Sequence, residues 1–579
     1  MLFSGRWRAQ AAAVFLWIWI SPAFAVTLSV EIAGIDGDLE RNVRATLGIL
    51  QEDAARMSES RLRRLHLQAQ AEIEQALRPF GFYAPQIQTD LVPREGGWLA
   101  RYRIDPGAPV RVSDVAVELT GAGGTDPDLR ALLAAFPLKV GDVADHRRYE
   151  DGKTRLRRRA LSTGYLDAAF DPAELRVDPV AGTAVVRLTL NTGPRYTFGP
   201  VRLDQDILDP AFLARFVPFA PGDFYNVREL LDLQYALDDT EYFSRVEVVP
   251  HPEQAVDGAV PIEVALDPNQ RHKYTFGLGY GTDTGPRGTL GWDNRRVNSL
   301  GHRWRSQLKL AQVDSSAQFS YLIPIDNPAT DSLDLNGSLR ETRVEDRTSR
   351  ITSVGIARND RDPPWQRNLR LNLEHESFEL AEGGEDEQLL SLLPGANWTY
   401  TRADDPVYPR DGLRWSIDLL GSVSPDASPF AQALMDTRWI HPAGSRGRWI
   451  LRQQTGATAA SQLSDLPLSK RFFAGGDNSV RGYAFQELGS RNAQGEVQGG
   501  RYLVTASAEF EQMLWRQWGA AVFVDTGNAF DDGTMDLKTA AGLGLRWRSP
   551  VGLLKLDVAQ PVDDPEADWR LHLSLGSEL

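Results

Sequence analysis

Two Asp-Thr-Gly triplets, Asp283-Thr284-Gly285 and Asp525-Thr526-Gly527, are the residues in this chain whose types could most directly do chemistry. Two carboxylates that share a proton can activate water, which is the logic of an aspartic protease. Their settings argue against it. Such enzymes place each triplet after an apolar strand, and Tyr280-Gly281-Thr282 is a poor one. Pro286 and Asn528 stand where Ser or Thr is expected. No His-Glu-x-x-His, phosphate loop, Gly-x-Ser-x-Gly or dinucleotide fingerprint occurs in a useful context. The chain has no cysteine, which excludes thiol catalysis, cysteine-ligated metal and disulfide staples. The acidic run Glu382 to Glu387 (EGGEDE) reads as a solvated loop rather than a cation site. No catalytic residue, metal or cofactor is expected, and the chain reads as a non-enzyme.

The elements around these residues are of several kinds. At 579 residues the chain has room for about three to five domains. A mean hydropathy of −0.33 argues against a bundle of membrane helices, but not against a barrel whose strands alternate polar and apolar. The net charge of −15 argues against nucleic acid as a partner, since phosphate binding needs concentrated positive charge. Residues 1–25 read as a secretory signal. Arg6 and Arg8 precede the apolar run Ala11 to Ile20, and Ser21-Pro22-Ala23-Phe24-Ala25 supplies a small-residue cleavage site. That run is about half the 20 residues a helix needs to span lipid. The mature protein is expected to begin at Val26 and to work outside the cytoplasm.

Between residues 107 and 268 one template occurs twice. Each copy opens with a strand (Val110 to Leu119; Tyr196 to Leu203) and continues into a short helix (Asp128 to Phe136; Pro210 to Phe216). A Gly-Asp turn follows at Gly141-Asp142 or Gly222-Asp223. A long helix (Ala144 to Ser162; Asn226 to Thr240) then ends in Gly164-Tyr165-Leu166 or Glu241-Tyr242-Phe243. Two strands close each copy, the last being Ala184 to Leu190 or Val260 to Leu266. Residues 26–106 give a looser third copy, with a strand at Leu28 to Ile32, a helix at Glu59 to Leu77, and Gly81-Phe82-Tyr83. Such a period predicts an array of βααββ modules at 26–106, 107–191 and 192–268. Their helices would cover one sheet face and leave an edge strand free to dock extended chains.

From about Arg271 the pattern becomes strict alternation. Tyr274, Phe276, Leu278 and Tyr280 share one face and Thr275, Gly277 and Gly279 the other. Trp304, Leu308 and Leu310 oppose Arg303, Arg305, Gln307 and Lys309. Leu543, Leu545 and Trp547 oppose Gly544, Arg546 and Arg548, and Trp569, Leu571, Leu573 and Leu575 oppose Arg570, His572, Ser574 and Gly576. Period 2, with bulky apolar residues against charge, fits a strand between lipid and an aqueous lumen. A soluble sandwich shows the same alternation. The length of residues 269–579, the aromatic residues near strand ends and the leading signal favour an outer-membrane β-barrel. At roughly 19 residues per strand and connection, the segment accommodates about 16 antiparallel strands.

Within this segment lie FFAGGDNSVRGY, ending at Val480-Arg481-Gly482-Tyr483, then Phe523-Val524-Asp525-Thr526-Gly527, SPVGLLKLDVAQPV and a closing LGSEL. With these motifs and the three modules, the chain resembles the outer-membrane assembly and two-partner-secretion barrel superfamily. In particular it resembles the TamA-type barrel subunits of translocation and assembly modules, with their POTRA domains. The resemblance implies that the loop bearing Val480 to Tyr483 folds into the lumen, where Arg481 meets Asp525 and Phe523 on the inner wall. Parity agrees: Phe523, Asp525 and Gly527 share a face, leaving Val522 and Val524 for lipid. An Arg fork suits a carboxylate and an aromatic face together. Gly482 would permit a tight bend, and Gly527 would leave room for the loop.

The resemblance further implies an insertase for β-barrel clients such as autotransporters. It would pair with an inner-membrane-anchored, periplasm-spanning TamB-like partner, act against outer-membrane lipid, and keep its modules in the periplasm. The expected working part is a lateral seam between the first strand (Tyr274, Phe276, Gly277, Gly279, Gly281) and the last (Leu571, Leu573, Ser574, Gly576). Strand glycines weaken packing there, or else curve the wall or admit the loop. A two-partner-secretion exporter is the alternative. That family usually has two modules and a plug helix, whereas three modules and no plug are read here.

Overall fold

The computed structural model describes residues 27–576 except 54–56, 96, 282–284, 345–346, 380–386, 426, 532, 550–551 and 565. The expected signal, most of the acidic run, Asp283, Thr284 and the last three residues lie outside the described residues.

Three small three-stranded sheets occupy the N-terminal half, and all three have one order: the module's last strand is central, with the first and second strands at the edges. In the first module the strand Thr27–Ala33 runs parallel to Gly97–Asp105, which pairs antiparallel with Gln86–Arg94. The helix Glu59–Leu77 forms because Ser58 caps the Arg61 N–H and apolar residues recur every three or four positions. Leu62, Leu65, Ala69, Ile73, Ala76 and Leu77 are its buried stripe. Each large member contributes about 1.5–3 kcal/mol against Ala100, Tyr102 and Ile104 of the central strand. In the second module Asp145 caps the helix His146–Ser162, which buries Tyr149, Leu156 and Ala160 over the sheet of Arg111–Thr120, Ala169–Asp178 and Thr183–Asn191. In the third, Val227–Asp238 buries Leu230, Leu233 and Leu237. The edge strands anticipated from the sequence are therefore the first and second of each module.

The corner after each long helix follows one plan. Gly81 has φ +87 and Gly164 φ +96, in the left-handed region that glycine enters without strain. The Gly81 carbonyl accepts from the Val110 N–H (2.8 Å), and that of Gly164 from the Tyr196 N–H (2.7 Å). The corner of one module thus receives the chain that begins the next.

Among the described residues, sixteen antiparallel strands form one sheet in which each strand pairs with its sequence neighbours, from His272–Gly281 to Arg570–Gly576. These two end strands share no ladder with each other among the described residues. This sheet is inside-out relative to a soluble fold. Tyr274, Phe276 and Leu278 are 64%, 77% and 97% exposed on the outer wall, as are Val522 and Val524 beside buried Phe523 and Asp525. The strands Arg347–Asp362, Trp365–Glu379 and Glu387–Ala403 have 15 to 17 residues. That exceeds the 9–11 or so needed to cross a bilayer, so this side of the wall extends beyond it.

Candidate functional site

The loop between the strands Gly447–Ala459 and Tyr502–Met513 is an ordered structure lying on the inner wall. Short 3-10 turns at Leu463–Asp465 and Leu468–Lys470 and a small hairpin of Ser490–Arg491 with Val497–Gly499 shape it. Its tip carries Val480 to Tyr483. Val480 is fully buried with Phe472, Ala474, Leu488, Leu503, Ala529 and Ala540, and Tyr483 packs beside them. Gly482 has φ +99, and a Cβ there would sit 2.9 Å from the Ala540 Cβ and 3.3 Å from the Gln560 backbone. Glycine is needed at this point both for the bend and for the close approach to the wall.

Arg481 is 3% exposed, and its donors are used in several directions at once. Its Nε and Nη2 fork onto Asp525 Oδ2 (2.7 Å) and Oδ1 (2.9 Å), and its backbone N–H also donates to Asp525 Oδ2 (3.1 Å). Nη1 reaches Glu509 Oε2 (2.8 Å) and Asp557 Oδ2 (2.9 Å), and Nη2 reaches Ser507 Oγ (3.4 Å). The guanidinium lies 3.3 Å from the Phe523 ring centroid, a cation–π contact. Arg481, Asp525 and Phe523 therefore stand together on the wall.

The network continues beyond these three. Arg546, fully buried, donates to Glu509 Oε1 (2.6 Å), Glu511 Oε1 (2.6 Å) and Asp557 Oδ1 (2.5 Å). Arg448 bonds Glu511 Oε2 (2.6 Å) and stacks 3.8 Å over Tyr408. Arg452 reaches Ser507 Oγ (3.0 Å) and lies 3.6 Å from Asp525. Four arginines and four carboxylates thus neutralise one another across neighbouring strands. Such buried networks add little net stability compared with an apolar core, but removing one partner strands the others and costs about 3–5 kcal/mol. Here the network ties the loop tip to three strands of the wall, through Glu509, Asp525 and Asp557.

One contact reaches the last strand. His572 Nε2 accepts from the Gly482 N–H (3.1 Å), so its Nδ1 carries the proton and meets Asp477 Oδ1 at 2.5 Å. The loop therefore holds one side of the expected seam. The remaining seam residues are not gathered into a site. Tyr274, Phe276 and Leu571 face outward, Leu573 is half-buried and Ser574 is exposed. Ser574 pairs in register with Lys555, Gly576 with Leu553, and Gly281 with Gly285. A Cβ on Gly277 would meet Thr289, and one on Gly279 would meet Arg287, both on the second strand. For Gly277 that contact is an ordinary one at 3.6 Å, whereas on Gly279 the Cβ would press on the Arg287 side chain.

Gly527 also lies tight against a neighbouring strand. The atoms that would crowd its Cβ are Val504 O (2.6 Å) and Thr505 Cα (2.7 Å), on the paired strand and not on the loop. The room under Arg481 comes instead from Gly542, where a Cβ would collide with the Phe523 ring, and from Gly544, where it would collide with Asp557 and Arg546. The protease pairing finds no support in the described triplet. Asp525 is fully buried and engaged by Arg481, the opposite of a carboxylate sharing a proton with its twin. Glu509, Asp557, Arg546 and His572 were not singled out from sequence as site residues. Their inward parity was readable, but their convergence on one arginine depends on strand register.

This geometry, a nearly closed sixteen-stranded wall with an arginine-tipped loop pinned inside it, has known counterparts. Residues 270–578 match the Omp85 superfamily domain, over half of the chain. The chain belongs to the Omp85 superfamily. Residues 29–106 also match POTRA domain TamA domain 1. It is an outer-membrane β-barrel protein with N-terminal POTRA domains in the periplasm. The outer membrane protein assembly factor BamA of Nitratidesulfovibrio vulgaris is 23% identical over 390 residues, which cover 62% of this chain and 48% of that protein. The chain thus spans about half the length of this curated relative. The crystal structure of BamA from Haemophilus ducreyi lacking POTRA domains 1–3 superposes with a TM-score of 0.66 at 17% identity, covering 81% of this chain and 99% of that one. That likeness shows the fold. CdiB from Acinetobacter baumannii covers 94% of this chain and 99% of its own at 14% identity, with a TM-score of 0.46, too low to argue from.

Proposed function

We propose that the protein is an outer-membrane insertase, the TamA-type barrel subunit of a translocation and assembly module. It would help β-barrel proteins such as autotransporters enter the membrane through a lateral seam. The observation that carries this reading is the interval between the first strand, His272–Gly281, and the last, Arg570–Gly576, which share no ladder among the described residues. A strand end left unpaired offers N–H and C=O groups to an incoming strand, and augmentation at such an edge needs no cofactor. The first strand carries Gly277, Gly279 and Gly281, so opening there costs little packing. Support for the TamA-type assignment comes from the matching first POTRA domain. With it goes a periplasm-spanning, inner-membrane-anchored TamB-like partner, with the module edges as docking strands for clients. The driving force is client folding and lipid burial, with no step at a catalytic residue.

The absence of native cysteine makes the test clean. A cysteine at Gly279 is paired with one at Ser574, and client insertion into vesicles is followed in oxidised and reduced protein. The seam reading expects insertion to fall on oxidation and recover on reduction. Full-rate insertion by the locked barrel would overturn it. Insertion unaffected while export of a soluble chain is lost would point to the two-partner-secretion alternative.

A further inference from the structure

The third module breaks the glycine rule of the other two. Its helix also ends in a residue with positive φ, but that residue is Glu241, at φ +57 where its counterparts are Gly81 and Gly164. A side chain in the left-handed region is strained and persists only where something outweighs the strain. At Gly81 and Gly164 a side chain is also excluded by space. A Cβ would lie 2.7 Å from a Val143 methyl in one case and 2.8 Å from the Tyr225 carbonyl in the other.

At position 241 the side chain has a destination. Its Oε1 accepts from Lys273 Nζ (3.1 Å), and its Oε2 accepts from Arg295 Nε and Arg303 Nη2 (3.3 Å each). Lys273 belongs to the first barrel strand, Arg295 follows the second and Arg303 opens the third. The Arg303 Nε is buried without a hydrogen-bond partner among the described residues, so this cation depends heavily on the carboxylate beside it. The same corner makes the joint contact seen in the other modules. The Glu241 and Tyr242 carbonyls accept from Asn269 Nδ2 (3.1 Å) and N (2.9 Å). Tyr242 Oη donates to the Gly301 carbonyl (2.5 Å), and Phe212 lies against Gly301 in the turn between the second and third strands.

We propose that Glu241 is an electrostatic latch that ties the helix–strand corner of the third module to the base of the first three barrel strands. The corner and the seam strand then move as one. The glycine that suits a module-to-module joint is replaced by a carboxylate where the next element is the barrel, and Lys273 is the point of attachment on the first strand, whose far edge has no ladder partner among the described residues. The coupling to insertion rests on the seam reading; the latch itself does not.

The test uses spin labels on cysteines introduced at the exposed positions Tyr235 and Leu300, one on the helix and one in the turn, in the full chain in lipid. The unmodified corner should give one narrow distance peak. Glu241→Gly relieves the backbone and removes the charge. It should place about fivefold more of the population outside that peak, the scale a part-exposed ion pair can hold. Glu241→Gln keeps the Cβ and the strain but loses the charge, and should broaden the peak as well. Roughly 1 M salt, where the Debye length is about 3 Å, should broaden the peak of the unmodified corner and leave Glu241→Gly unchanged. A peak unaltered by Glu241→Gly overturns the latch. So does broadening by Glu241→Gly with none by Glu241→Gln, because bulk and not charge would then hold the joint. If both variants broaden the peak and insertion by Glu241→Gly is unchanged, the latch stands and only its link to the seam falls.

Discussion

The wall from Tyr502 to Pro561 and the strand His272–Gly281 are written in the same alternating pattern and put to opposite uses. In the first, the inward face sets Glu509, Asp525, Arg546 and Asp557 beside Gly542 and Gly544, and the loop tip engages it: Arg481 alone binds Asp525, Glu509 and Asp557 and covers Phe523. In the second, the inward positions include Gly277 and Gly279, and their nearest neighbours are side chains of the adjacent strand. The last strand stands between the two. It is held to the loop through His572, while its other edge has no ladder partner among the described residues. Alternation builds a wall. Whether a sector of that wall is locked or can yield depends on what fills the lumen side.

The largest effect is expected at the lock. Arg481→Ala takes the forked partner from buried Asp525, leaving it Arg452 at 3.6 Å, and removes one of two cations from Glu509 and Asp557; it should destabilise the barrel by about 3–5 kcal/mol. Urea unfolding followed by heat-modifiable gel mobility reads this directly. Arg481→Lys keeps the charge but loses the fork, and should fall between that variant and the parent. An Arg481→Ala barrel as stable as the parent would erase the contrast between the two sectors.

Alanine scanning of glycine sharpens the contrast, because the sign should reverse. Gly482→Ala meets a left-handed φ, the Ala540 Cβ and the Gln560 backbone, and should cost about 1–3 kcal/mol. Gly277→Ala finds only ordinary contact, with Thr289 Cβ 3.6 Å away, and removes a flexible residue from a strand. It should stabilise by up to about 0.5–1 kcal/mol while slowing client insertion. The same unfolding assay and a vesicle insertion assay separate the two.

The smallest effect concerns acid. The Glu241 carboxyl is held below its ordinary value of 4.5. Partial burial works against this, but Lys273 and Arg295 outweigh it. Asp238, Asp239, Asp293 and Arg305 line the same recess. A depressed carboxyl contributes stability above its unfolded value and loses it as pH falls through the folded one. The Tyr235–Leu300 label distance should therefore hold at pH 6 to 8 and broaden below about 4.5, and Glu241→Gln should be insensitive over that range.

Much of this arrangement could be read from the chain because it is periodic. The helix Glu59–Leu77 follows from a stripe at helical spacing and a serine cap. The first strand follows from Tyr274, Phe276, Leu278 and Tyr280, and the shared face of Phe523 and Asp525 follows from parity alone. The resemblance to a known family supplied the meeting of Arg481 with that face. Parity says that Glu509, Asp557 and Arg546 point inward but not which strands stand beside each other at which register, so their convergence was invisible. Register also sets the surroundings of Gly527, whose nearest atoms belong to a paired strand. Glu241 was visible as a departure from the Gly81 and Gly164 pattern, yet its meaning required Lys273, Arg295 and Arg303 to be brought beside it by the fold.

Amide hydrogen exchange on the lipid-embedded barrel tests the difference between the two sectors most directly, since it reports opening strand by strand. The amides from Phe276 to Gly279 should exchange at least about tenfold faster than those from Phe523 to Asp525, and Arg481→Ala should narrow that ratio. Equal protection of the two strands in the parent protein would contradict a locked wall facing a seam that yields.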